Sequence, residues 1–490
     1  MRKTTWAGAL ALLVSGCATS DLQTPPSTRL AGPIQPVRPT SIDTRLYQQD
    51  VGDYKIAPLQ RTLRNDGYLV ESGLLTGTHD TPAGALVMVR SPSGALTAII
   101  DRPGKRGLLL VDALGKRRFL AEPDYDYLKS DMLAAPMPAA ETPAQPSAST
   151  SANSGIDVLV TFSTQALDVL ASDPVAFALA QLQTVNSGLR NSDIGNITLD
   201  LAGIVVTAQD RGVDSPGLRA TQNAMDALRS DYRHDVNAAY YVKGDYAGLA
   251  YLPGWSSVNS IHYPLAFRHE LGHNVGGGHC YPEAGDNYKH GHKVDSDRST
   301  HLCGNQLPYY STPAVRLDGV ALGHPATADM ARLWKEQAGR LKGYSPAFDG
   351  ERMIVLSGQG EQRLRVTTKP TSTRSGVVAH STEIGPMQLT ASRYPLTTLR
   401  VPLKAENGQT YTVNLSAQKE AGNCGRTIMN STSICHPDFR GAFDLLLNYD
   451  PAQNPHLPTG WYNGVLELEA IDSNDPSWSR PILVSLSVRS

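Results

Sequence analysis

The chain contains 490 residues, a length typical of about three domains of ordinary size. Lysine and arginine total 44 and aspartate and glutamate total 46, so the formal net charge is −2, and 40% of the residues are hydrophobic. This is a globular composition; the lack of a basic excess excludes a typical nucleic-acid partner, and no apolar stretch is long enough to span a bilayer.

Residues 1–17 have the pattern of an export signal, with a positively charged start, a short apolar run and small residues before a cysteine. The end of this segment, Val14-Ser15-Gly16-Cys17, resembles the bacterial lipobox. The resemblance implies that Cys17 carries lipid after cleavage and ties the exported chain to a membrane. Ala18 follows the cysteine, and by the same resemblance this residue favours the outer membrane, at the cell surface or the periplasmic face. An ordinary signal peptide is the alternative.

The five cysteines form an odd set, which requires an explanation in an exported protein. If Cys17 carries lipid, four cysteines remain. Cys280 lies close in sequence to Cys303, and Cys424 to Cys435, so an oxidising compartment favours these two disulfides. Metal thiolates are the alternative, but the chain has no C-x-x-C motif.

The region before residue 155 divides by composition into three parts. Residues 18–44 are rich in Pro, Thr and Ser and predict a tether. Residues 45–133 contain short apolar runs separated by turns, which indicates a small, mostly β module. In the range 134–154, 17 of 21 residues are Ala, Pro, Ser or Thr, which predicts a linker.

The region 155–346 alternates predicted strands and helices, which is typical of an α/β domain. The strands are Ile156–Phe162, Leu199–Val206, Ala238–Val242 and Leu249–Leu252, and the helices are Pro174–Leu189 and 219–234. The region 347–490 is all β again and predicts a C-terminal sandwich. Its seven expected strands are Met353–Leu356, Leu364–Thr367, Leu399–Leu403, Thr410–Leu415, Phe443–Leu447, Gly464–Ala470 and Ile482–Val488.

One segment of the α/β region carries a chemical pattern, H-E-x-x-H-x-x-G-x-x-H. His269 and His273 are four residues apart and share one face of a helix, so both can bind one metal ion. Glu270 can reach a water on that metal. Gly276 predicts the end of the helix and a turn that brings His279 back as the third ligand. Three imidazoles with an open position indicate a catalytic zinc site.

The histidine string resembles the extended zinc motif of the metzincin metallopeptidases. The wider segment 155–345 is similar to the reprolysin-like bacterial branch that includes peptidyl-Asp metalloendopeptidases, in Ile156-Asp-Val-Leu-Val, Ala247-Gly-Leu-Ala-Tyr-Leu252 and Tyr310-Ser-Thr-Pro313. The resemblance implies a metzincin-like α/β (α+β) catalytic domain, with a mixed sheet and a zinc helix. It also implies an endopeptidase whose substrates are proteins or glycoproteins.

The ligand set predicts the mechanism. A zinc ion held by the three histidines lowers the pKa of its bound water, and Glu270 acts as the general base when that water attacks a peptide carbonyl. An extended substrate is expected along an edge strand through main-chain hydrogen bonds, at Leu249, Ala250, Tyr251 and Leu252.

The chain departs from the metzincin pattern below the zinc. Metzincins have a methionine-containing turn soon after the third histidine, but there is no methionine between His279 and Met330. Leu302 is expected to replace it as the apolar floor, because Leu and Met have similar volumes. The module 45–133 is either a pro-segment over the cleft or a permanent spacer or partner domain. Because it contains no cysteine, it cannot place a thiolate on the zinc.

Two further readings stay open. Asp286, Asp295 and Asp297 could bind Ca²⁺ in a loop, although their spacing is not that of an EF-hand. The whole chain could also be a non-catalytic, lipid-anchored surface adhesin built on a peptidase scaffold. The presence of Glu270 together with all three histidines favours the enzyme. The oligomeric state cannot be predicted from these patterns.

Overall fold

The computed structural model describes residues 47–135, 154–345 and 354–488, with gaps at 65–67, 78–80, 92–93, 113, 208, 282–286, 359–361, 369–377, 381–396, 406–408, 420–442, 459 and 471–478. Within these ranges the chain is a mixed α/β protein with several sheets and few helices. The export signal with Cys17, the tether, most of the linker, Asp286 and the Cys424–Cys435 pair lie outside the described residues.

The N-terminal strands form an antiparallel sheet in chain order. They are β1 (Lys55–Leu63), β2 (Leu69–Thr76), β3 (Pro82–Arg90), β4 (Leu96–Arg102), β5 (Lys105–Val111) and β6 (Arg117–Ala121). Side chains alternate across β4: Ala98 and Ile100 pack in a core with Val51, whereas Ile99 faces the α/β region. Both faces of the sheet therefore bury apolar side chains.

A second six-stranded sheet organises the α/β region. Its strands are β7 (Met132–Ala134), β8 (Ser154–Ser163), β9 (Ile197–Thr207), β10 (Val236–Tyr241), β11 (Gly248–Leu252) and β12 (Ser256–Ser260), in the order β7-β11-β12-β10-β8-β9. Strand β11 runs antiparallel to β12, while β8, β9, β10 and β12 are parallel. Strand β7, from before the linker, pairs with the predicted edge strand β11.

The sequence missed β12 because its five residues, SSVNS, are mostly polar, although all five are buried. Several of their polar groups are hydrogen-bonded inside the sheet. Asn237 donates to the Ser256 hydroxyl at 2.9 Å, and Asn259 donates to the Ala239 carbonyl at 3.3 Å. Hydrophobic alternation therefore gave no signal for this strand.

The helices are α1 (Thr164–Leu170), α2 (Pro174–Asn191), α3 (Ser215–Asp226), α4 (Arg229–Tyr232), α5 (Ala266–Val275) and α6 (Met330–Leu341). Helix α2 begins where Asp173 accepts hydrogen bonds from Val175 and Ala176. It contacts β2, β3 and β4 on one side and β9 on the other, so nearly all of its side chains are buried. The single helix expected over 219–234 is instead split into α3 and α4.

Two small strand pairs lie between α5 and α6. Strand β13 (Gly278–Cys280) pairs with β14 (His290–Gly291), and β15 (Thr312–Leu317) pairs with β16 (Val320–Leu322). A disulfide joins Cys280 to Cys303, in the pairing that the sequence predicts. The strand that contains the third histidine is therefore covalently tied to the turn that contains Leu302.

The C-terminal strands form one hydrogen-bonded sheet, so the expected two-sheet sandwich is not confirmed. The strands are β17 (Ile354–Gly358), β18 (Gln362–Thr368), β19 (Val378–His380), β20 (Thr397–Ala405), β21 (Thr410–Lys419), β22 (Phe443–Tyr449), β23 (Gly460–Ala470) and β24 (Ser479–Val488). Among the described residues, none of the helices combines the length and apolar character that crossing a membrane requires.

Candidate metal centre

Helix α5 and the turn after it bring three histidines together. His269 and His273 lie one turn apart on the helix, and their ring centroids are 4.8 Å apart. The helix ends at Gly276, whose φ of +116° is disfavoured for residues with a Cβ. The chain then turns back, and the His279 ring centroid lies 5.3 Å from His269 and 4.9 Å from His273.

The ligand atoms of the three histidines converge on one another. The Nε2 atom of His269 lies 3.1 Å from Nε2 of His273 and 3.3 Å from Nε2 of His279. A fourth group, the Asp131 carboxylate, lies among them, with Oδ1 3.1 Å from His273 Nε2 and 2.9 Å from His279 Nε2. Its Oδ2 lies 3.4 Å from His269 Nε2. One ligand atom from each of the four buried residues lies within 4.8 Å of the others.

The outer nitrogens of two rings fix where the protons are. Nδ1 of His269 donates to the His301 carbonyl at 2.5 Å, and Nδ1 of His273 donates to the Gly277 carbonyl at 2.7 Å, because a carbonyl oxygen can only accept. Burial lowers the pKa of His269 to about 4, so that ring is neutral at pH 7. The inner Nε2 atom of His269 therefore carries a lone pair rather than a proton.

These residues fit a divalent metal ion. The Nε2 lone pair of His269 and the Asp131 carboxylate lie close together and repel one another unless a cation lies between them. Three imidazole nitrogens and one carboxylate oxygen form a donor set that suits zinc and other divalent transition metals. The hydrogen bonds from Nδ1 to main-chain carbonyls are also those that orient metal-binding histidines in other proteins. The geometry therefore supports a metal centre at this point.

Glu270 is fully buried beside the histidines, and neither carboxylate oxygen has a hydrogen-bond partner. Burial raises the pKa of its carboxyl group well above the ordinary value, and the nearby Asp131 charge raises it further. The side chain packs against Gly248 of β11, where a Cβ atom would overlap it. Glu270 is therefore a desolvated acid–base group held between the metal centre and the predicted substrate strand.

The predicted substrate strand is covered in this structure by residues from before the linker. Met132, Leu133 and Ala134 of β7 pair with Ala250, Tyr251 and Leu252 of β11, and the Asp131 carbonyl accepts a hydrogen bond from the Ala250 amide at 3.1 Å. The segment that supplies the fourth acidic group therefore also fills the edge of the sheet.

Leu302, which the sequence predicts as an apolar floor below the metal, lies against helix α5. It is 1% exposed, and a Cβ atom at Gly272 would approach its side chain to 2.8 Å. Met330, the first residue of α6, joins it: a Cβ atom at Gly277 would collide with both Leu302 and Met330. A methionine therefore packs beside Leu302, but it belongs to helix α6 and not to the turn after the third histidine.

The start of α5 is held by the N-terminal sheet. The amide of Leu265, the residue before the helix, donates to Glu122 Oε2 at 2.9 Å, which supplies a carboxylate at the positive end of the helix. One residue before the first ligand, the buried Arg268 guanidinium pairs with Asp101 at 2.8 Å and donates to Asn305 Oδ1 at 2.7 Å. Residues of the N-terminal sheet therefore position the helix that carries two of the ligands.

Sequence reasoning missed Asp131, Asp101 and Arg268, since each acts through contacts that are distant in sequence. A carboxylate at the end of a β module just before a linker was the only local signal for Asp131. The hypothesis of a calcium site in this loop gains no support. Asp295 pairs with Arg298 at 2.6 Å, and the described residues contain no metal-binding group of three or more side chains besides the one at Asp131.

No family model matches the chain, but distant relatives do. A peptidyl-Asp metalloendopeptidase of Stenotrophomonas maltophilia (strain K279a) is 26% identical over 293 residues, which cover 52% of this chain and 69% of that protein. A peptidyl-Asp metalloendopeptidase of Xanthomonas campestris pv. campestris is 28% identical over 215 residues, which cover 38% of this chain and about half, 51%, of its relative. At low identity, these relatives support a metallopeptidase.

Solved structures resemble the chain only weakly. Metalloproteinase-II from Bacteroides fragilis has a TM-score of 0.33 at 12% identity, over 50% of this chain and 78% of that one. A chaperone–substrate complex has a TM-score of 0.36 at 19% identity, over 52% of this chain and 40% of that one. Both scores are too low to carry an argument about the fold.

Proposed function

We propose that the chain is a zinc-dependent endopeptidase of the metzincin type, with proteins as substrates. The observation that supports this most strongly is the convergence of His269, His273 and His279 on one point beside the unpaired, buried Glu270. Three histidines leave a coordination position open for chemistry, which structural zinc sites do not. The names of the relatives agree with this function, at low identity.

In this proposal the three histidines hold the ion through their Nε2 atoms, and the main-chain carbonyls of His301 and Gly277 keep two of the rings in place. A bound zinc ion would supply Lewis-acid chemistry, because it polarises a carbonyl and makes water more acidic. A carboxylate of Glu270 accepts the proton of the attacking water and delivers it to the leaving amine.

Strand β11 is the proposed substrate-binding edge, because its free main-chain groups can pair with an extended peptide once β7 is displaced. Glu270 lies directly against this strand at Gly248, so a peptide bound there passes close to the base. We further propose that the protein is exported and acts outside the cytoplasm as a lipoprotein through Cys17, which rests on the sequence pattern alone.

The test compares Glu270→Gln with its parent. Because Asp131 lies among the histidines, both the natural chain and the Asp131→Ala chain serve as parents. We expect Glu270→Gln to lower casein hydrolysis by Asp131→Ala about 10²- to 10⁴-fold, the contribution typical of a general base. Zinc content should stay unchanged, because Glu270 is not a ligand.

Mass spectrometry of the products distinguishes peptide-bond cleavage from hydrolysis of other amides. Undiminished cleavage by Glu270→Gln with zinc bound would contradict the assigned base. If neither parent cleaves any peptide although zinc is bound, the enzyme proposal fails and the surface-adhesin reading replaces it.

A further inference from the structure

Strand β11, the proposed substrate edge, separates from its inner neighbour before it ends. Its antiparallel pairing with β12 runs over Gly248–Ala250, opposite Ser257–Asn259. Tyr251 and Leu252, the last two residues of β11, lie beyond this paired part. An extended peptide on the outer edge would nevertheless run along them. The end of the strand therefore needs a support on its inner side other than β12.

Two main-chain carbonyls lie where the strands separate. Just before β11, the Ala247 carbonyl accepts a hydrogen bond from the Ser260 amide of β12 at 2.8 Å. Every second residue of a strand turns its main-chain groups to the same neighbour, so the Tyr251 carbonyl also points to the β12 side. The Ser256 carbonyl lies on that side as well. Two carbonyls cannot bond to each other because both only accept, so a donor has to lie between them.

Asn274 of α5 supplies that donor. Its Nδ2 atom donates to the Tyr251 carbonyl at 3.0 Å and to the Ser256 carbonyl at 3.0 Å. A primary amide carries two hydrogen atoms on one nitrogen, and both are used here. The Asn274 side chain is fully buried, so solvent does not replace these bonds. One side chain therefore joins the end of β11 to the start of β12.

The turn between the two strands rests on the same residue. The Gly254 amide donates to the main-chain carbonyl of Asn274 at 3.0 Å. Arg340 of α6 donates to that carbonyl at 2.7 Å and to the Gly254 carbonyl at 3.2 Å. Side-chain and main-chain groups of Asn274 thus bind the turn to the last turn of α5.

Helix α5 therefore holds β11 at two points. Asn274 directly follows the ligand His273 in sequence and binds the end of the strand. Glu270, one helical turn earlier, packs against Gly248 at the start of the strand. Because the two contacts lie one turn apart on a single helix, they fix both the distance and the direction of β11 relative to the histidines.

We propose that Asn274 is a positioning residue, which fixes the end of β11 on the helix so that a bound peptide lies with its scissile carbonyl at the metal centre. The inference rests on the proposed peptidase function and on β11 as its substrate edge. Asn274 acts through the Tyr251 carbonyl and not by contact with the peptide. Reaction rates depend strongly on such placement, because a shift of about 1 Å can lower a rate about 10²-fold.

The test variants remove the donors of Asn274 and keep the metal ligands. Asn274→Asp keeps the shape of the side chain but has no N–H group, and Asn274→Ala adds no charge. Asn223→Asp is the matched control, because it makes the same change at an exposed position of α3. We expect all three variants to bind zinc as their parent does, because none of the changed residues is a ligand.

The first experiment measures binding at the metal centre and does not depend on catalysis. The variants are made in the Asp131→Ala chain, loaded with cobalt and titrated with two hydroxamates while the visible absorption spectrum is recorded. Acetohydroxamate is too small to reach along β11, whereas a tripeptide hydroxamate can pair with the strand. In both Asn274 variants, we expect the affinity for acetohydroxamate to stay within about twofold and that for the tripeptide hydroxamate to fall at least about tenfold. Asn223→Asp should change neither affinity.

The second experiment follows the strand itself, with the same substitutions made in the natural chain. Amide hydrogen exchange is measured by mass spectrometry over β11 and, as a reference, over β8, which lies inside the same sheet. We expect exchange in β11 to be at least about tenfold faster in both Asn274 variants, because the end of the strand has lost an inner hydrogen bond. Exchange in β8 should stay the same.

Three results would overturn the inference. Equal weakening of both hydroxamates would mean that Asn274 supports the metal ligands and not the strand. Exchange that rises equally in β11 and β8 would mean that the residue only stabilises the fold. An unchanged affinity for the tripeptide hydroxamate would show that the end of β11 does not need this contact.

Failure of the proposed function gives a different pattern. If the parent binds the two hydroxamates with equal affinity, β11 is not the substrate edge, and the role of Asn274 falls with it. If the tripeptide hydroxamate responds to the variants as expected but the parent hydrolyses no peptide, the peptidase proposal fails and the positioning of β11 by Asn274 stands.

Discussion

Glu270 depends on a glycine that is distant in sequence. A carboxylate with both oxygens buried and unpaired has to be held in place by packing, and the main chain at Gly248 provides that packing. Any side chain at position 248 would take the space that Glu270 occupies. The substrate strand and the general base of the proposed mechanism are therefore positioned by the same residue.

We expect Gly248→Ala to impair catalysis without removing the metal. The added Cβ atom overlaps Glu270, so the carboxylate has to move, and casein hydrolysis by the Asp131→Ala chain should fall at least about 10²-fold, the lower end of a base's contribution. Zinc content should not change. Gly195→Ala is the control, because a Cβ atom at that exposed position meets nothing within 4 Å. Full activity of Gly248→Ala would show that Glu270 does not need this contact.

At the level of single residues, the sequence predicts the site residues that follow a helical spacing, and it misses those that reach the site from a distant part of the chain. His269, His273 and the helix end at Gly276 follow from the spacing within one helix and from the freedom of glycine. Asp131 and Asp101 approach that helix from another part of the chain, and no local pattern marks an aspartate that will meet histidines so far along. Arg268 reads as an exposed charge until its buried partner is known.

Helix α5 has only ten residues, and neighbouring elements supply hydrogen-bond partners for the main-chain groups at its two ends. Glu122 accepts a hydrogen bond at its start, and Arg340 of α6 donates to the Asn274 carbonyl at its end, at 2.7 Å. The disulfide then ties β13, the strand that contains His279, to the turn at Leu302. The third ligand is therefore positioned by this covalent link and by the pairing of β13 with β14, and not by the helix.

Loss of the disulfide should destabilise the fold and the metal centre together. For a loop of this length, with Cys280 and Cys303 separated by 23 residues, we expect the Cys280→Ser/Cys303→Ser chain to lose about 3 kcal/mol of unfolding free energy. Thermal melting measures this loss, and zinc retention should fall as well, because Cys280 follows His279 directly. A melting temperature equal to that of the natural chain would contradict the proposed role of the disulfide.

The same contrast between local and distant signals holds for elements. The amphipathic pattern and Pro174 predict helix α2 almost to its ends, whereas the polar strand β12 and the three-residue strand β7 carry no recognisable pattern. Strand β7 lies before the predicted linker and β11 lies after it. A strand of three residues has too little sequence to show a pattern, so only its pairing with β11 identifies it. The relation between the N-terminal module and the cleft therefore emerged only from the structure.

Across the whole molecule, the N-terminal sheet and the α/β region share one buried apolar cluster and the Asp101–Arg268 ion pair. We expect Asp101→Ala to cost about 3–5 kcal/mol of unfolding free energy, because Arg268 keeps its charge and its buried place while losing its carboxylate. Denaturation in urea measures this cost, and Asp53→Ala, at an exposed position of the same module, should change the free energy little. A loss below 1 kcal/mol for Asp101→Ala would mean that the ion pair does not join the two parts.

Elemental analysis of the purified natural chain measures whether the three histidines bind one metal ion. We expect about one zinc ion per chain after gel filtration, and almost none in the His269→Ala/His273→Ala chain prepared in the same way. A natural chain that binds no stoichiometric transition metal, or a double variant that retains as much zinc as the natural chain, would show that these histidines do not form a metal site.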